Sequence, residues 1–237
     1  MDMFNQLSSA QDSPEAVALQ NAFVNRVYGW MTAGLALTGF VAYYISAKYG
    51  AQVFQHRGLY IVLILLEFVV VAGLTAAINR ISAFVALLGF LFFAALNGVT
   101  LSWIFIAYDS TSIAKTFFAT SATFGAMGLF GYLTKKDLTS IGSLCFMGLF
   151  GLIIASVLNM IWPNARMGLV ISCVGILIFV GLVAYDTQKI KQLALAIGEG
   201  DVDVESGKKY AIIGALQLYL DFVNLFLYIL RLLGNRK

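Results

Sequence analysis

Charged side chains are scarce in this sequence. Aspartate, glutamate, lysine and arginine together make up 11% of the 237 residues, whereas 60% of the residues are hydrophobic. A soluble globular domain carries about 25% charged residues. The scarcity excludes an ordinary soluble domain and predicts an integral membrane protein, whose length is best counted in spans of about 20 residues.

Basic patches, cysteine and histidine are scarce as well. The net charge is only +3, and no basic stripe interleaved with aromatic residues occurs, so nucleic acid is not expected as a partner. Cys145 and Cys173 both fall in apolar runs and are expected to be small core residues, not a disulfide or a metal pair. The one histidine, His56, cannot build a metal site alone, and we expect no resident cofactor.

The N-terminus lacks the features of a secretory signal. Residues 1–20, MDMFNQLSSAQDSPEAVALQ, are polar and acidic, without a basic start, an apolar centre or a cleavage site. We predict a flexible polar tail over residues 1–20 and one transmembrane domain over residues 21–237. The first span then serves as its own insertion signal.

Long hydrophobic runs dominate the rest of the chain. Each run is long enough to cross about 30 Å of hydrocarbon as a helix. The runs are continuous and about twice as long as the alternating segments of a β-barrel. The sequence therefore predicts an all-α membrane protein with seven transmembrane helices. The runs cover residues 25–46, 59–79, 82–106, 112–134, 139–162, 167–187 and 210–232.

Lysine and arginine predict the orientation in the membrane. With the N-terminus inside, the inner side holds more basic residues than the outer connections. The inner set is Arg26, Arg80, Lys135, Lys136, Lys189, Lys191, Lys208 and Lys209, and the outer set is Lys48, Arg57, Lys115 and Arg166, followed by Arg231, Arg236 and Lys237 at the C-terminus. We therefore predict a cytoplasmic N-terminus and a C-terminus outside.

Three carboxylates lie within or at the edge of apolar runs. Asp221 is central in the seventh run, where it lies in LYLDFVNLFLYIL; Asp186 follows VGLVAY, and Glu67 lies in ILLEFVVV. An aspartate at the centre of a spanning helix costs about 2.5–3.5 kcal/mol on insertion scales. Such a group must face protein or water, pair with another group, or carry a proton. Asp186 has the alternative of being an ordinary interfacial residue beside Lys189, and the partner of Glu67 is expected from another span.

The seventh run carries a polar stripe. At 100° per residue its polar positions fall on one arc of the helix, and its other faces are apolar. The stripe is therefore expected to face the protein interior. It either joins helices by hydrogen bonds or lines an ion or proton path. The stripe consists of Gly214, Gln217, Asp221, Asn224, Tyr228 and Arg231.

Depth sets a condition for contact between the two aspartates. If the sixth helix ended at Thr187, Asp186 would sit at the membrane edge while Asp221 lay roughly 16 Å deeper. We therefore expect the sixth helix to continue through TQKIKQLALAI, or the seventh helix to start later or tilt.

A local repeat, MGLFG at Met127–Gly131 and at Met147–Gly151, predicts close helix packing through its glycines.

The motif AYDTQKI followed by LYLDFVNLFLYILRLLGNR at the end of a seven-span chain is distinctive. It resembles the bacterial branch of the Bax inhibitor-1 family. The likeness covers nearly the whole chain from VYGWMTAGLALTGFVAY onwards, includes NGVTLSWIF in the third run, and leaves out the polar tail. YLDFVNLFL is its most specific motif.

The resemblance implies six helices around a central seventh and a pH-dependent calcium leak across the membrane. It also implies that Asp186 and Asp221 form a paired pH sensor, since two carboxylates in hydrogen-bond contact share one proton. The same oxygens suit transient binding of calcium. An arginine near the end of span two is described as a latch in the family. Arg80 stands nearest to that position, and the family glutamate of span two matches Glu67.

Other functions remain open at this point. An intramembrane aspartyl protease fits less well, because the GxGD and PAL motifs are absent, and we expect no enzyme. A non-transporting regulator would bind membrane proteins such as a quality-control protease. A proton-coupled transporter of small solutes would also use buried carboxylates. In each case the expected location is a bacterial inner membrane, with the lipid bilayer as a partner.

Overall fold

The computed structural model describes residues 14–50, 57–200 and 202–237. Within these ranges the chain is helical throughout, apart from short connections and an isolated bridge between Tyr108 and Arg236. The all-α fold class is therefore confirmed. The helices are α1 (Pro14–Tyr49), α2 (Arg57–Ala77), α3 (Ala83–Leu101), α4 (Trp103–Ala107), α5 (Ser110–Leu133), α6 (Thr139–Ile161), α7 (Ala165–Gly198) and α8 (Val204–Leu233).

Six helical segments in the described ranges are long and apolar enough to cross a membrane. They are α1, α2, α3 together with α4, α6, α7 and α8. Helix α5 has 24 residues but is not one of them, because its first half, STSIAKTFFATSATF, is rich in serine and threonine. Length and composition thus support six of the seven predicted spans.

The beginning of the first helix lies inside the predicted polar tail. Helix α1 starts at Pro14, so residues 14–20 are helical, and residues 1–13 lie outside the described part of the chain. Proline suits the first turn of a helix, since its missing amide hydrogen would have no partner there. The predicted flexibility of the tail stays a prediction. His56 also lies outside the described residues.

Helix α7 is much longer than the sixth apolar run. It continues through TQKIKQLALAI to Gly198, as expected from the depth of the two aspartates. Helix α8 starts at Val204, so the charged segment between the sixth and seventh apolar runs is largely helical. Charged residues do not stop a helix, whereas Gly200, with a φ of 82°, takes the left-handed conformation that ends one.

The described residues divide into two compact units. The first contains the residues up to 103 and residues 189–219, and the second contains residues 104–188 and 220–237. In the first unit, α3 approaches α1 closely at Gly98, where an added Cβ would lie 2.8 Å from the Thr38 carbonyl oxygen. At Gly34 of α1, an added Cβ would lie 2.5 Å from the ring of Phe90. Glycine permits both contacts.

In the second unit, α5 and α6 both pack on α7 through glycine. Gly131 of α5 lies against the backbone of Ala184, and Gly148 of α6 lies against Ile178, where an added Cβ would be 3.1 Å away. Close packing through the MGLFG repeat is therefore confirmed for these two glycines, and their shared partner is α7. The prediction is wrong for Gly151, which has nothing within 4 Å of an added Cβ.

Helix α8 is the most enclosed of the six candidate spans. In its apolar window 61% of the residues are buried, against no more than 44% in the others. Tyr219, Val223 and Leu230, on the face opposite Asp221, are buried too. Among the six candidate spans the last helix is therefore the one most enclosed by protein, in line with the prediction, and its burial extends beyond the polar stripe.

Candidate functional site

Asp186 and Asp221 meet in the second unit. Asp186 lies on α7 and is 4% exposed, and Asp221 lies on α8 and is 5% exposed. A hydrogen bond joins their side chains. A carboxylate can only accept hydrogen bonds, so one of the two carboxyl groups must carry a proton and donate it to the other. The arrangement holds one proton between two buried acids.

The segment of α7 that carries Asp186 is held on several sides. The ring of Tyr185 covers Gly142 of α6, where an added Cβ would lie 2.6 Å from it, and meets Phe146 edge-on with ring centroids 6.3 Å apart. On the other side of Asp186, the amide of Gln188 is bonded to the connection between α5 and α6. Asp186 is therefore presented from a well-supported stretch of helix.

The surroundings of Asp221 are mostly apolar. The adjacent Phe222 contacts the rings of Phe117 and Phe124 of α5, with centroids 5.7 Å and 5.5 Å away. The thiol of Cys145 on α6 lies near enough to interact electrostatically with Asp221. In the described part of the chain, Oδ2 of Asp221 and the hydroxyl of the buried Thr187 find no hydrogen-bond partner. Buried polar atoms of this kind call for water or another ligand.

The polar stripe of α8 changes in burial along the helix. Gln217, Asn224 and Tyr228 are half-buried, and Arg231 is exposed. Asn224 donates to the Leu220 carbonyl oxygen at 2.8 Å, a bond within its own helix. The stripe is thus buried at Gly214 and Asp221 and reaches the surface at Arg231, so the prediction that it faces the interior does not hold at its C-terminal end.

Tyr228 ties the stripe to α6 and α7. Its ring stacks on Phe179 with centroids 5.8 Å apart and covers Gly175. Its hydroxyl is hydrogen-bonded to Ser156 of α6. These contacts are those of a packing residue with a satisfied polar end.

Glu67 forms a second polar cluster, in the first unit. Its carboxylate accepts a hydrogen bond from the Thr100 hydroxyl at 2.6 Å and a longer one from the Asn97 amide at 3.4 Å. Both partners come from α3, which confirms that the partner of Glu67 lies on another span. Tyr60 of α2 donates to the Thr100 carbonyl oxygen at 3.3 Å.

Arg80 lies exposed in the turn between α2 and α3. Its assignment as a latch to the aspartate pair stays a prediction. Among the described residues, no group of three or more histidine, cysteine, aspartate or glutamate side chains could hold a metal ion. The two aspartate carboxyl groups offer oxygen ligands of the kind that calcium takes.

Several functional candidates were missed in the sequence. Asn97 and Thr100 stand three residues apart in NGVT, a spacing that puts both on one face of α3. Gln188 stands two residues after Asp186 in YDTQ. Amide and hydroxyl side chains carry no charge, so their presence in an apolar run is a weaker signal than that of a carboxylate. They nevertheless form the hydrogen bonds to the carboxylate.

Six helices of spanning length in the described ranges, together with two adjacent buried aspartates, define a polytopic membrane protein. Residues 20–237 match the sequence profile of the family described as "Inhibitor of apoptosis-promoting Bax1". The chain belongs to this family, the Bax inhibitor-1 family, as the resemblance of its motifs implied.

Curated relatives match over nearly their whole length. The inner membrane protein YbhL of Escherichia coli K12 is 45% identical over 217 residues, covering 91% of this chain and 92% of YbhL. An uncharacterised protein of Borreliella burgdorferi is 40% identical over 225 residues, covering 94% and 96%. An uncharacterised membrane protein of Streptococcus pyogenes is 34% identical over 223 residues, covering 91% and 93%. The apolar helices and the similarity to YbhL support an inner membrane location.

Proposed function

We propose that this protein is a pH-sensitive leak pathway for cations, calcium among them, gated by the Asp186–Asp221 pair. The observation that carries the proposal is the hydrogen bond between two buried carboxyl groups on adjacent helices. A pair of this kind changes its charge, and with it the force between α7 and α8, when it gains or loses a proton.

The direction of the response follows from electrostatics. At low pH the pair holds its shared proton, and the hydrogen bond joins α7 to α8. As the pH rises the proton leaves, and two anions in contact repel each other. The loss belongs to the pair as a unit, because the two groups titrate together. The pathway is therefore closed at low pH and opens as the pH rises.

Calcium is the cargo of this pathway in the proposal. Calcium takes six to eight oxygen ligands, often carboxylates, and the doubly ionised pair supplies up to four oxygens. Water and backbone carbonyl groups would supply the others. The small number of carboxylates favours a passing ion over a tightly held one, and no chemical step is required of the protein.

The proposal includes a topology of seven spans, with α8 enclosed by the other six. Helix α5 has 24 residues, about 36 Å at 1.5 Å per residue, which suffices to cross the hydrocarbon core. Its buried positions include Ser112, Thr116 and Thr120, which lie one turn apart on one face. A spanning helix with its hydroxyl groups turned toward protein would account for its low apolar content. The N-terminus is then cytoplasmic and the C-terminus outside.

A second candidate function is proton-coupled transport of a small solute. The Glu67 cluster favours it, because a second hydrogen-bonded carboxylate within the first unit could take part in moving protons. In this mechanism the aspartate pair is a relay, and cations other than protons do not pass.

Calcium entry into proteoliposomes tests the proposal. Vesicles that contain the purified protein and a calcium-sensitive dye should show entry that rises between pH 5 and 8, whereas protein-free vesicles should not. Asp221→Asn keeps the size and hydrogen-bonding capacity of the side chain and should abolish most of the pH dependence. Purified protein that passes no calcium at any pH would instead point to a regulator that acts through membrane protein partners.

A further inference from the structure

Gln188 forms a two-point clamp next to the aspartate pair. Its side-chain oxygen accepts a hydrogen bond from the backbone amide of Leu138 at 2.9 Å, and its side-chain nitrogen donates to the carbonyl oxygen of Lys136 at 2.8 Å. Gln188 is 7% exposed and Leu138 is 3% exposed. One amide side chain thus satisfies two backbone groups of the α5–α6 connection, and both bonds lie within the second unit.

Two glycine contacts support the same stretch of α7. Gly131 of α5 lies against the backbone of Ala184, and Gly142 of α6 lies against the ring of Tyr185. Together with the clamp at Gln188, these contacts hold α7 on both sides of Asp186 to the α5–α6 hairpin. The carboxyl group of Asp186 is therefore carried by a body made of two helices and their connection.

We propose that Gln188 is the positioning residue of the aspartate pair: its clamp on the α5–α6 connection holds Asp186 in place for Asp221. Asp186 is then the fixed member of the pair, and α8, which carries Asp221, is the element that moves when the two separate. The inference rests on the proposed function only for this movement. The placement of Asp186 by Gln188 is a property of the closed state.

In the described part of the chain, the thiol beside the pair and the charged groups of the connection differ from Gln188. Cys145 of α6 is a thiol, a weak hydrogen-bond donor, and interacts with Asp221 through its charge. Lys136 and Asp137 carry the charges of the connection but are exposed. Gln188 is the side chain that bonds the connection to α7 at both of its amide atoms.

Hydrogen exchange tests the clamp itself. The Leu138 amide of the full chain in lipid nanodiscs should exchange slowly, and about fivefold or more faster in Gln188→Leu, since one hydrogen bond is lost. Gln192→Leu is the matched control, because it makes the same substitution one turn later on α7 at an exposed position. The control should leave Leu138 exchange unchanged. Fast exchange of the Leu138 amide in the unsubstituted protein would overturn the proposal.

Infrared spectroscopy at a fixed acidic pH tests the positioning. The carbonyl stretch of a carboxylic acid reports its hydrogen bonding, and the band that disappears in Asp221→Asn identifies the pair. In Gln188→Leu this band should shift toward the position of a carboxylic acid with weaker hydrogen bonding, and in Gln192→Leu it should stay. Gln188→Glu retains the acceptor for Leu138 and loses the donor to Lys136, so it should give an intermediate shift.

The outcomes separate this inference from the proposed function. Suppose that Leu138 exchange becomes faster in Gln188→Leu, so that the clamp is lost, while the carboxylic acid band of the same variant stays unchanged. The pair would then not depend on the clamp, and the inference would be overturned. A shifted band in a protein that passes no calcium would support the inference while the leak pathway fails. If Gln188→Leu does not fold, the carboxylic acid band of Gln188→Glu decides the question: a shifted band supports the inference, and an unshifted band overturns it.

Discussion

At the residue scale, the Thr38 hydroxyl on α1 links its own helix to α3 and α8. The Tyr219 hydroxyl lies 2.7 Å from the Thr38 hydroxyl, which donates to the Ala94 carbonyl oxygen at 2.7 Å. The Tyr219 ring, fully buried, meets Phe90 and Phe93 edge-on. The rings need no hydroxyl for these contacts, so the hydroxyl and the ring can be tested separately.

Tyr219→Phe should lower the free energy of unfolding by about 1 kcal/mol, the usual contribution of one buried hydrogen bond. The aromatic contacts stay, and Thr38 keeps its bond to Ala94. Tyr43→Phe, at a position that is 63% exposed, is the control and should change it by no more than about 0.5 kcal/mol. Unfolding in a mild detergent measures both. Equal effects of the two substitutions would contradict the role given to the Tyr219 hydroxyl.

Charged residues of the candidate site were easier to predict from the sequence than uncharged ones. Asp221 and Glu67 stand out because a carboxylate in an apolar run is costly, and that cost predicts burial and a partner. The identity of the partners, Asn97 and Thr100 for Glu67, could not be predicted, because it depends on which helices are neighbours. The expectation that Cys173 is a core residue was wrong, because its side chain is exposed. In a membrane protein an apolar run also has a side that faces lipid.

At the scale of elements, the two MGLFG repeats provide a matched pair. Gly131→Ala would push a Cβ into the backbone of Ala184 on α7, and a backbone cannot move aside as a flexible side chain can. The expected loss of stability is about 1–3 kcal/mol. Gly151→Ala adds the same methyl group where nothing lies within 4 Å and should be neutral, or stabilising by up to about 1 kcal/mol.

Both substitutions replace glycine by alanine and so improve helix propensity. The difference in stability between the two variants therefore reports the packing of the added methyl group. Thermal unfolding of the two proteins in the same detergent measures it. A Gly151→Ala variant as unstable as Gly131→Ala would show that the close approach of α5 to α7 does not decide the effect.

Asp109 gives an element-scale prediction that depends on pH. It caps the N-terminus of α5, where the backbone amide and the hydroxyl of Ser112 both donate to its carboxylate at 2.9 Å. These hydrogen bonds lower the pKa of Asp109 below its ordinary value of 3.8. A carboxylate whose pKa is lower in the folded state than in the unfolded state stabilises the fold at any pH above its unfolded-state pKa. This contribution disappears as the pH falls through the folded-state pKa.

Asp109→Ala should therefore melt at a lower temperature than the unsubstituted protein at pH 7. The difference should narrow below about pH 4, as the carboxylate of the unsubstituted protein becomes protonated. The same cap holds the C-terminal segment, because the Ser112 hydroxyl accepts from the Asn235 amide at 3.0 Å. A difference that is constant from pH 7 to pH 3 would contradict a role for the ionised carboxylate.

The elements themselves were predictable to different degrees. Apolar runs predicted the central parts of the helices, and Gly50 and Gly200, both with positive φ, mark ends that composition also indicates. The extension of α7 to Gly198 required an argument about depth, because the apolar run is interrupted after Asp186 by the mostly polar segment TQKIKQ. The break between α3 and α4 near Ser102 has no counterpart in the apolar run from 82 to 106.

At the scale of the whole molecule, the number of spans decides where the C-terminus lies. Seven spans put the two termini on opposite sides of the membrane, whereas six spans without α5 put them on the same side. We expect a reporter fused after Lys237 to be active when it requires the outer side and silent when it requires the cytoplasm. A reporter fused before Met1 should behave in the opposite way. Two termini on the same side would remove α5 from the spanning helices.

The proposed gate requires that Asp186 and Asp221 act as one unit. The most direct measurement is the pH profile of calcium entry into proteoliposomes for the unsubstituted protein, Asp186→Asn, Asp221→Asn and the double variant. Coupled residues give non-additive effects, so each single substitution should remove most of the pH dependence between about pH 5 and 8, and the double substitution should add little. Additive effects of the two substitutions, or a double variant with an unchanged pH profile, would contradict the paired-aspartate gate.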